Sequence, residues 1–538
     1  MAGQSGPTAR DRVALHVLQV GAIAVVLAAL PYKAFDLDRY FVPKELVVHI
    51  CAVAGALLCL GVRKRITLAA VDMLLALFLA ASLVSSVVAI NHWAAERALA
   101  ISVSGVLLFW VASTLRRAGL MRPLIVALAI AVVVGAATSL AQAYGVQTEY
   151  FSINRAPGGT FGNRNFVAHL AAIGTSVVVL VALTARPGFG SLFGGVGMAV
   201  LSAALVLSRS RGAWLAVIAL AAPVALFAYT TRSRWMDART MRRSLVLAIA
   251  TVAGAVAAVV IPNRLEWKSD SPYLDSAAGL VNYKEGSGAG RLVQYSNSVR
   301  MTLAHPIVGV GPGNWPVVYP KFASRNDPSM SQDDGQTANP WPSSDWVAYL
   351  SERGVIGFGL LLLAMLGLVV RAVRDLGNGG HRTNGDSERV LAAIALVGTL
   401  VATAVVGAFD AVLMVGAPAF FVWTLAGALA PPASGGADAP DSTRSVGMLL
   451  VAVAGVIMIA RSGAQIASMA LYSSSTKTAV VAQAAQLDPG SYRVRVKLAQ
   501  NYLARGDCTH ARPQAHAAHS LFPSAGEPKR EIAECGGK

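Results

Sequence analysis

The sequence predicts an all-α polytopic membrane protein, and two observations carry that prediction. Of its 538 residues, 55% are hydrophobic and only 14% are charged. The apolar residues fall in blocks of about 15 to 25 residues, such as residues 124–140 and 390–408, and most of these blocks are long enough to cross a bilayer. Because backbone N–H and C=O groups inside a membrane must bond to one another, the blocks are expected to be helices.

Hydropathy divides the chain into about twelve or thirteen spans. The first block is expected to be an uncleaved helix rather than a signal sequence, because the small-residue pattern Ala22-Ile23-Ala24 lies inside the apolar run and another span soon follows. The predicted spans cover residues 13–31, 43–62, 66–90, 98–115, 123–144, 166–185, 191–207, 212–230, 244–261, 347–370, 390–408, 416–430 and 446–460.

The formal net charge of +17 would suggest nucleic acid in a soluble protein, but the distribution of the charge indicates a membrane protein and no nucleic-acid partner. Alternating the spans places the basic clusters in loops on one side, which is the positive-inside pattern. These clusters comprise Arg63, Lys64, Arg65, Arg116, Arg117, Arg122, Arg232, Arg234, Arg239, Arg242, Arg243, Arg371, Arg374, Arg382 and Arg389. A multi-pass protein of the bacterial inner membrane is therefore expected, with its basic loops in the cytoplasm.

The same alternation puts residues 145–165, 208–212 and 262–346 outside, together with the tail after Arg461. The prediction is a transmembrane domain of residues 1–460, with a large external loop at 262–346, and a periplasmic C-terminal region of residues 461–538. The tail reads as short amphipathic helices separated by turns.

The spacing of the tail resembles tetratricopeptide repeats, but only about one and a half repeats fit, and three are usually needed for independent stability. The alternative is a helical cap packed on the membrane domain. Cys51 and Cys59 lie in an apolar span and are expected to be buried thiols, whereas Cys508 and Cys535 lie in the tail. In an oxidising compartment these two form a candidate disulfide, although sequence alone does not give their separation.

Arginines on the external side predict an anion site. Basic residues are disfavoured in short external loops, yet Arg155 and Arg164 occupy one such loop, and Arg209 and Arg211 occupy another. A guanidinium presents a planar fork of donors that suits phosphate oxygens, and it stays charged at any relevant pH. Such a cluster at membrane depth is what a lipid-linked phosphate or pyrophosphate requires. The alternative is that these side chains extend to lipid headgroups.

A glycine-rich segment at residues 159–166 enters the next span. Its glycines permit close backbone approach, and Asn163 and Asn165 offer hydrogen-bond donors near a helix N-terminus, which favours anions. Tight-turn and capping roles are the alternative. His169, just inside the span, is a further candidate, with a hydrogen-bonded buried histidine as its alternative.

The long external loop and the start of the following span contain further candidates. Glycine-rich turns with aromatic residues suit a sugar-binding surface, although aromatic residues also suit a membrane interface. Asp345 and Glu352 are ionisable groups at a membrane entrance, about two helical turns apart, and are candidates for function by position. The alternative is that Glu352 forms a structural ion pair with Arg353. The remaining candidates are Arg291, Arg300, His305, Asn314, Trp315, Trp341 and Trp346.

Taken together, these segments resemble the O-antigen ligase and polymerase family of bacterial membrane glycosyltransferases. The matching pieces extend over about 200 residues, and their order and spacing agree with the family. They are residues 159–166 (G-T-F-G-N-R-N-F), 208–214 (S-R-S-R-G-A-W), 290–291 ahead of 305–315 (H-P-I-V-G-V-G-P-G-N-W), and 345–357 (D-W-V-A-Y-L-S-E-R-G-V-I-G).

The resemblance implies a GT-C-like enzyme that needs no metal and no cofactor and takes a glycan from undecaprenyl pyrophosphate. It implies that Arg211 and Arg291 hold the pyrophosphate, where charge builds as the glycosidic bond breaks. One departure matters: the family's usual histidine aligns with Ser343, and serine is no base at neutral pH. The base is then Asp345 or another histidine such as His305, or acceptor activation is weak and the arginines do most of the work.

The leading hypothesis is a polysaccharide polymerase or ligase, with a lipid-linked oligosaccharide donor, a glycan acceptor and surrounding membrane lipids. The polymerase is favoured because the tail could engage other polysaccharide assembly proteins. Protein O-glycosylation is an alternative. The competing class is a transporter or flippase, which should contain internal repeats and broken helices in both halves; the sequence contains no such symmetry. A catalytically impaired scaffold is a third option.

Overall fold

We describe the protein from a computed structural model, which describes residues 6–62, 66–152, 155–186, 188–267, 269–279, 286–324, 326–331, 334–377, 386–432, 437–439 and 441–536. The described chain is mainly α-helical. The helices are α1 (Ala9–Leu27), α2 (Asp38–Val62), α3 (Ala70–Val87), α4 (His92–Arg117), α5 (Met121–Ala143), α6 (Arg164–Thr184), α7 (Phe189–Ser208), α8 (Arg211–Thr230), α9 (Arg232–Trp235), α10 (Ala238–Val260), α11 (Pro272–Ala278), α12 (Gly286–Ala304), α13 (Trp315–Val318), α14 (Asp345–Gly377), α15 (Asp386–Phe409), α16 (Gly416–Leu429), α17 (Asp441–Ser474), α18 (Thr478–Leu487), α19 (Tyr492–Leu503), α20 (Cys508–Leu521) and α21 (Glu527–Glu534).

Short 3-10 helices and one pair of strands complete the described elements. The 3-10 helices are Lys33–Phe35, Gly159–Phe161 and Tyr319–Lys321. The strands β1 (Ile66–Leu68) and β2 (Ala437–Ala439) pair antiparallel, with Thr67 opposite Asp438. They connect the segment after α2 to the segment after α16.

The all-α polytopic class predicted from the sequence is confirmed. Within the described ranges, 11 helices are long and apolar enough to cross a membrane. α16 is a shorter apolar helix that is buried throughout its length. α1 is also apolar after its first turn, which contains Arg10, Asp11 and Arg12. Each of the thirteen predicted blocks therefore coincides with a helix, and whether α1 and α16 also cross the bilayer stays a prediction.

The basic clusters gather at one end of the bundle, as the alternation of spans requires. Arg243 of α10 donates to the carbonyls of Leu183 (2.8 Å) and Ala185 (2.9 Å) at the end of α6. Arg389 lies 2.5 Å from the Asp375 carboxylate, in the loop region between α14 and α15. Four members of the predicted clusters, namely Arg63, Lys64, Arg65 and Arg382, lie outside the described residues.

The C-terminal region packs on the membrane domain. α17 does not end near residue 460, where the sequence suggested, but continues to Ser474. The added turns are stabilised because Met469 packs in a buried cluster with Val481 of α18 and Val494 of α19, and with Phe35 near the start of the chain. Four helices, α18 to α21, then follow as two helical hairpins. The choice between tetratricopeptide-like repeats and a helical cap stays a prediction.

Both expectations for the cysteines agree with the structure. Cys51 and Cys59 are buried free thiols. Cys508, at the start of α20, and Cys535, after the end of α21, form a disulfide with their Cα atoms 5.5 Å apart. The disulfide therefore fastens the last helical hairpin at its open end.

A glycine kink divides α14. Gly354 has φ 64° and ψ −174°, outside the helical region, and a Cβ at this position would lie 2.2 Å from the Ile307 carbonyl oxygen. We expect Gly354→Ala to destabilise the folded protein by about 1–3 kcal/mol or more, since it adds backbone strain and a clash. The measurement is the thermal unfolding midpoint in detergent. Gly359→Ala is the matched control, because a Cβ there meets open space; equal midpoints for the two variants would contradict the account.

Glu531 of α21 gives the C-terminal region a pH dependence. Burial, together with the charges of Glu527 and Glu534, raises its pKa to about 7. A carboxyl whose pKa is higher in the folded state stabilises that state at low pH, and this contribution is lost as the pH rises through about 7.

We therefore expect hydrogen-exchange protection of α21, corrected for intrinsic rates, to fall as the pH rises from about 5 to about 7 and to level off above that. In Glu531→Gln the fall should disappear, because the neutral amide mimics the protonated acid. In Glu534→Gln the fall should persist but occur at a lower pH, because one of the charges that raise the Glu531 pKa has been removed. A Glu531→Gln protein that keeps the wild-type difference would refute the assignment.

Candidate functional site

Two neighbouring cavities open at the end of the bundle opposite the basic clusters. The first has a volume of about 470 Å³ and the second about 390 Å³. Asn165, Arg291 and Asp410 line both of them, so the cavities share a wall. The first is also lined by Leu37, Arg155, Asn163, Phe166, Gly290, Gln294, Pro328, Ser329, Asn339, Trp341 and Ser343. The second is also lined by Arg164, His169, Arg209, Ser210, Arg211, Gly212, Asp275, Ser276 and Phe409.

The second cavity lies where two membrane helices begin. Arg164 is the first residue of α6, and Arg211 is the first residue of α8. Asn163 caps α6 by accepting a hydrogen bond from the Asn165 backbone N–H (3.0 Å). The N-terminus of a helix presents unbonded N–H groups and a positive dipole end, and both favour an anion. The chain therefore directs two arginines and two helix N-termini towards one cavity.

The arginines of the second cavity are held by neighbours in the loop after α10. Arg209, with a left-handed backbone (φ 53°), donates to Ser276 Oγ (2.9 Å) and lies 4.8 Å from the Trp267 ring centroid. Arg164 approaches the same ring at 5.9 Å. Arg211 Nη1 donates to the Gly279 carbonyl (2.8 Å). A cation over an indole face is stabilised by the ring's quadrupole, so Trp267 offsets part of the repulsion between these guanidinium groups.

The electrostatic balance of the two cavities is positive. Five arginines, namely Arg155, Arg164, Arg209, Arg211 and Arg291, line one or both of them, against the carboxylates of Asp275 and Asp410. Like charges repel more strongly in a partly buried site than in water. A bound anion with several oxygen atoms would relieve this repulsion, and guanidinium groups suit phosphate oxygens best.

Asp410 lies at the wall that the two cavities share. It was not among the residues predicted from the sequence. It directly follows the last residue of α15, and its side chain is 16% exposed. Its Oδ2 accepts from Asn165 Nδ2 (3.2 Å) and lies 3.9 Å from His169 Nε2, while its Oδ1 accepts from the Ala411 backbone N–H (2.8 Å). An ionisable residue directly after the apolar block 390–408 was the signal that could have identified it.

His169 supports Asp410 from within the bundle. The histidine is buried and lines the second cavity. Within the described part of the chain, its Nδ1 has no hydrogen-bond partner. The alternative of a hydrogen-bonded buried histidine is therefore confirmed for the burial of His169 and not for a hydrogen bond at its Nδ1.

The first cavity combines aromatic rings with side-chain amides. The ring centroid of Trp341 lies 6.2 Å from that of Phe166 and 5.4 Å from that of Phe41. Gln294 accepts from the Ser343 backbone N–H (2.7 Å) and donates to Ser329 Oγ (3.0 Å). Aromatic faces beside a few placed polar groups are typical of small-molecule sites, and this pairing suits the apolar faces and hydroxyl edges of a sugar.

Nine of the candidate residues named from the sequence meet at these cavities: Arg155, Arg164, Arg209, Arg211, Arg291, Asn163, Asn165, His169 and Trp341. Asp345 does not line either one. It is buried, and its carboxylate accepts hydrogen bonds from the backbone N–H groups of Val412 (3.0 Å) and Leu413 (2.8 Å). Those bonds fix the turn that follows Asp410, so Asp345 acts on the site through the position of that turn.

The other predicted residues lie away from both cavities. Glu352 is buried and accepts from the Trp315 backbone N–H (3.2 Å), with Arg353 at 3.5 Å as the expected ion pair. Asn314 is buried and exchanges hydrogen bonds with the Asn91 backbone (2.7 and 3.0 Å). The glycine-rich turn before Trp315 thus packs against the bundle, which is a structural role.

Three further predicted residues, Arg300, His305 and Trp346, also lie away from the two cavities. Arg300 donates to Asn297 Oδ1 (2.7 Å) and to the Phe322 carbonyl (2.6 Å) within the external loop. His305 is exposed and does not line either cavity. Trp346 donates to the Ala404 carbonyl (2.9 Å) on α15. A direct substrate-binding role for these three residues finds no support in their positions.

The described chain is thus an all-α membrane-type protein, with an arginine-lined cavity at one end of its helical bundle. Residues 196–362, from within α7 to within α14, match the family model described as O-antigen ligase. The resemblance drawn from the motifs is thereby confirmed. A comparison with curated proteins finds no match.

The match assigns a general activity. The protein is a membrane enzyme of the glycan ligase and polymerase type, which transfers glycans. The matched segment includes Arg209, Arg211 and Arg291. Asn163, Arg164 and Asp410 lie outside it, and the fold brings them to the same cavities.

Proposed function

We propose that this protein transfers a glycan from polyprenyl pyrophosphate to a sugar hydroxyl on the extracytoplasmic face of the bacterial inner membrane. The observation that carries the proposal is the group of five arginines lining two adjoining cavities at the ends of membrane helices. A pyrophosphate at the end of a lipid chain reaches that depth while its lipid stays in the bilayer. The extracytoplasmic face is supported by the basic loops at the opposite end and by the Cys508–Cys535 disulfide in the tail.

The arginines serve the leaving group. As the bond between the sugar's anomeric carbon and the pyrophosphate oxygen breaks, its electron pair leaves with the pyrophosphate, whose negative charge increases. Arg211 and Arg291 stabilise that developing charge with donors that are already in place. Arg164 and Arg209 complete the anion site, and the N-termini of α6 and α8 add their dipoles. The amide-rich first cavity holds the acceptor sugar.

Asp410 is the proposed general base. It lies between the anion site and the aromatic cavity that also contains Ser343, the position where the family's histidine is missing. The acceptor hydroxyl oxygen attacks the anomeric carbon from the face opposite the leaving pyrophosphate, its proton passes to Asp410, and the configuration inverts. Asn165 and His169 orient the carboxylate. This assignment replaces Asp345, whose oxygens are engaged by the turn at Val412 and Leu413.

The test is a product analysis in proteoliposomes containing the full-length protein, a lipid-linked oligosaccharide and a glycan acceptor. Mass spectrometry should detect free polyprenyl pyrophosphate in step with acceptor that has gained the glycan, joined with inverted configuration. A donor that crosses the bilayer chemically intact would contradict the proposal and indicate a flippase. Modification of serine or threonine in a protein acceptor, with no transfer to sugars, would indicate protein O-glycosylation.

A further inference from the structure

We infer that the C-terminal helices hold the first cavity in shape through one aspartate of the external loop, Asp334, which acts as a positioning residue for the acceptor. The inference rests on the proposed function in one respect, the assignment of the acceptor sugar to the first cavity. It gives the C-terminal region the role of supporting the wall of the first cavity.

A short hairpin connects the tail to the cavity. Its two sides are joined by hydrogen bonds from the Ser331 N–H to the Gln336 carbonyl (2.7 Å) and from the Ala338 N–H to the Ser329 carbonyl (2.8 Å). Residues at its base line the first cavity: Pro328 and Ser329 on one side, Asn339 and Trp341 on the other. A displacement of this hairpin therefore moves the cavity wall.

Asp334, near the tip of the hairpin, binds the tail with both carboxylate oxygens. Its Oδ1 accepts from the backbone N–H groups of Gly526 (3.0 Å) and Glu527 (2.7 Å), at the start of α21. Its Oδ2 accepts from the Tyr492 hydroxyl (2.7 Å) of α19 and from Gln336 Nε2 (2.7 Å). A carboxylate at a helix N-terminus is stabilised by the helix dipole, and hydrogen bonds to a charged acceptor are stronger than those between neutral groups.

The tyrosine stays a donor at physiological pH. Burial and the neighbouring Asp334 carboxylate raise the pKa of Tyr492 above its usual value. The phenol therefore keeps its proton at neutral pH and remains able to donate to the Asp334 carboxylate. The four hydrogen bonds to the carboxylate persist together over the range in which the enzyme would work.

The tail is itself fixed at several points, so it can serve as a support. Asn91 Nδ2, at the start of α4, donates to the Leu521 carbonyl (3.2 Å) at the end of α20. Arg461 of α17 pairs with Glu96 of α4. The disulfide joins the start of α20 to the end of α21, the helix whose N-terminus holds Asp334. The hairpin is thus attached to the membrane domain through a crosslinked unit.

None of the described residues of this hairpin lines the second cavity. Its lining comes from α6, the turn before α8, the loop after α10, Arg291 of α12 and the end of α15. Loosening the contact between Asp334 and the tail should therefore weaken acceptor binding and leave donor binding unchanged. A general loss of folding would affect both substrates, so this asymmetry distinguishes positioning from bulk stability.

The experiment compares Asp334→Ala, Asp334→Asn and Tyr492→Phe in the proteoliposome assay. We expect Asp334→Ala to raise the acceptor KM about tenfold and Tyr492→Phe about fivefold, in line with the loss of hydrogen bonds to a charged group. The donor KM should stay within about twofold of wild type. Asp334→Asn should be intermediate, because its amide oxygen can still accept from the N-terminus of α21.

The matched control is Asp507→Ala. Asp507 is also an aspartate of the tail at a helix start, but it bonds only within its own helix turn, to Thr509 and His510. It should leave both KM values unchanged. Equal rises in donor and acceptor KM, or an unchanged acceptor KM in Asp334→Ala, would overturn the inference.

A second measurement keeps the inference testable if the protein has no transferase activity. Hydrogen exchange of residues 326–331 and 334–341 should be faster in Asp334→Ala and Tyr492→Phe than in wild type, with α6 and α8 unchanged. Absence of turnover in wild type would refute the proposed function while leaving this readout available. Unchanged exchange in the hairpin would refute the support by the tail, whatever the activity.

Discussion

Arg211→Ala and Arg291→Ala are each expected to lower glycan transfer by about 100- to 1,000-fold, the usual cost of removing one donor that stabilises a charged transition state. The reason is that both guanidinium groups line the second cavity, where the pyrophosphate would accumulate charge. Because the two act on the same leaving group, the double variant should lose less than the product of the single losses. The measurement is the initial rate of polyprenyl pyrophosphate release at saturating acceptor.

Charge and geometry can be separated in the same assay. Arg211→Lys keeps a cation but loses the planar fork, so its rate should lie between those of wild type and Arg211→Ala. Arg239→Ala is the control, because Arg239 is an exposed arginine of the basic cluster at the start of α10, at the opposite end of the bundle. Full transfer by a normally expressed Arg211→Ala or Arg291→Ala protein would refute the mechanism.

Asp410→Asn is expected to lower kcat by about 100- to 10,000-fold, the range typical of a lost general base. The single asparagine oxygen can still accept from one of the two donors, Asn165 Nδ2 or the Ala411 backbone N–H, so the cavity largely keeps its shape while the proton acceptor is lost. Donor and acceptor KM values and the thermal unfolding midpoint should therefore stay close to wild type. Steady-state kinetics measure kcat and the two KM values, and thermal unfolding measures the midpoint.

Asp345→Asn provides the contrast. Asp345 uses its carboxylate to bind the backbone of Val412 and Leu413, so its amide variant should unfold at a lower temperature and lose activity in step with that. If instead Asp345→Asn lost turnover at an unchanged midpoint, and Asp410→Asn kept its turnover, the base would be Asp345 as the sequence first suggested.

The sequence was sufficient for the fold class, and it also predicted the anion site, which stays a prediction. Apolar blocks of membrane length left helices as the available structure, and arginines in loops where the positive-inside rule disfavours them indicated a bound anion. Arg164 and Arg211 could be selected because each lies next to the start of an apolar block, where a helix N-terminus was expected. These inferences depend on local pattern, and the fold preserves local pattern.

The sequence was not sufficient for residues whose roles depend on distant contacts. Asp345 and Glu352 were correctly placed at a membrane entrance, but the turn at 412–413 and the turn before Trp315 bury them. Asp410 was missed because its importance comes from contacts with Asn165 and His169, which are far away in the chain. The end of α17 was misplaced because its added turns are stabilised by packing against α18 and α19.

The most direct test of the central claim is a cryo-EM structure of the full-length protein with undecaprenyl pyrophosphate in a lipid nanodisc. We predict density for the pyrophosphate in the second cavity, within hydrogen-bond distance of Arg211 and Arg291, and for the lipid chain leaving it into the bilayer. A pyrophosphate bound among the basic loops at the opposite end of the bundle, with the second cavity unchanged, would contradict the account.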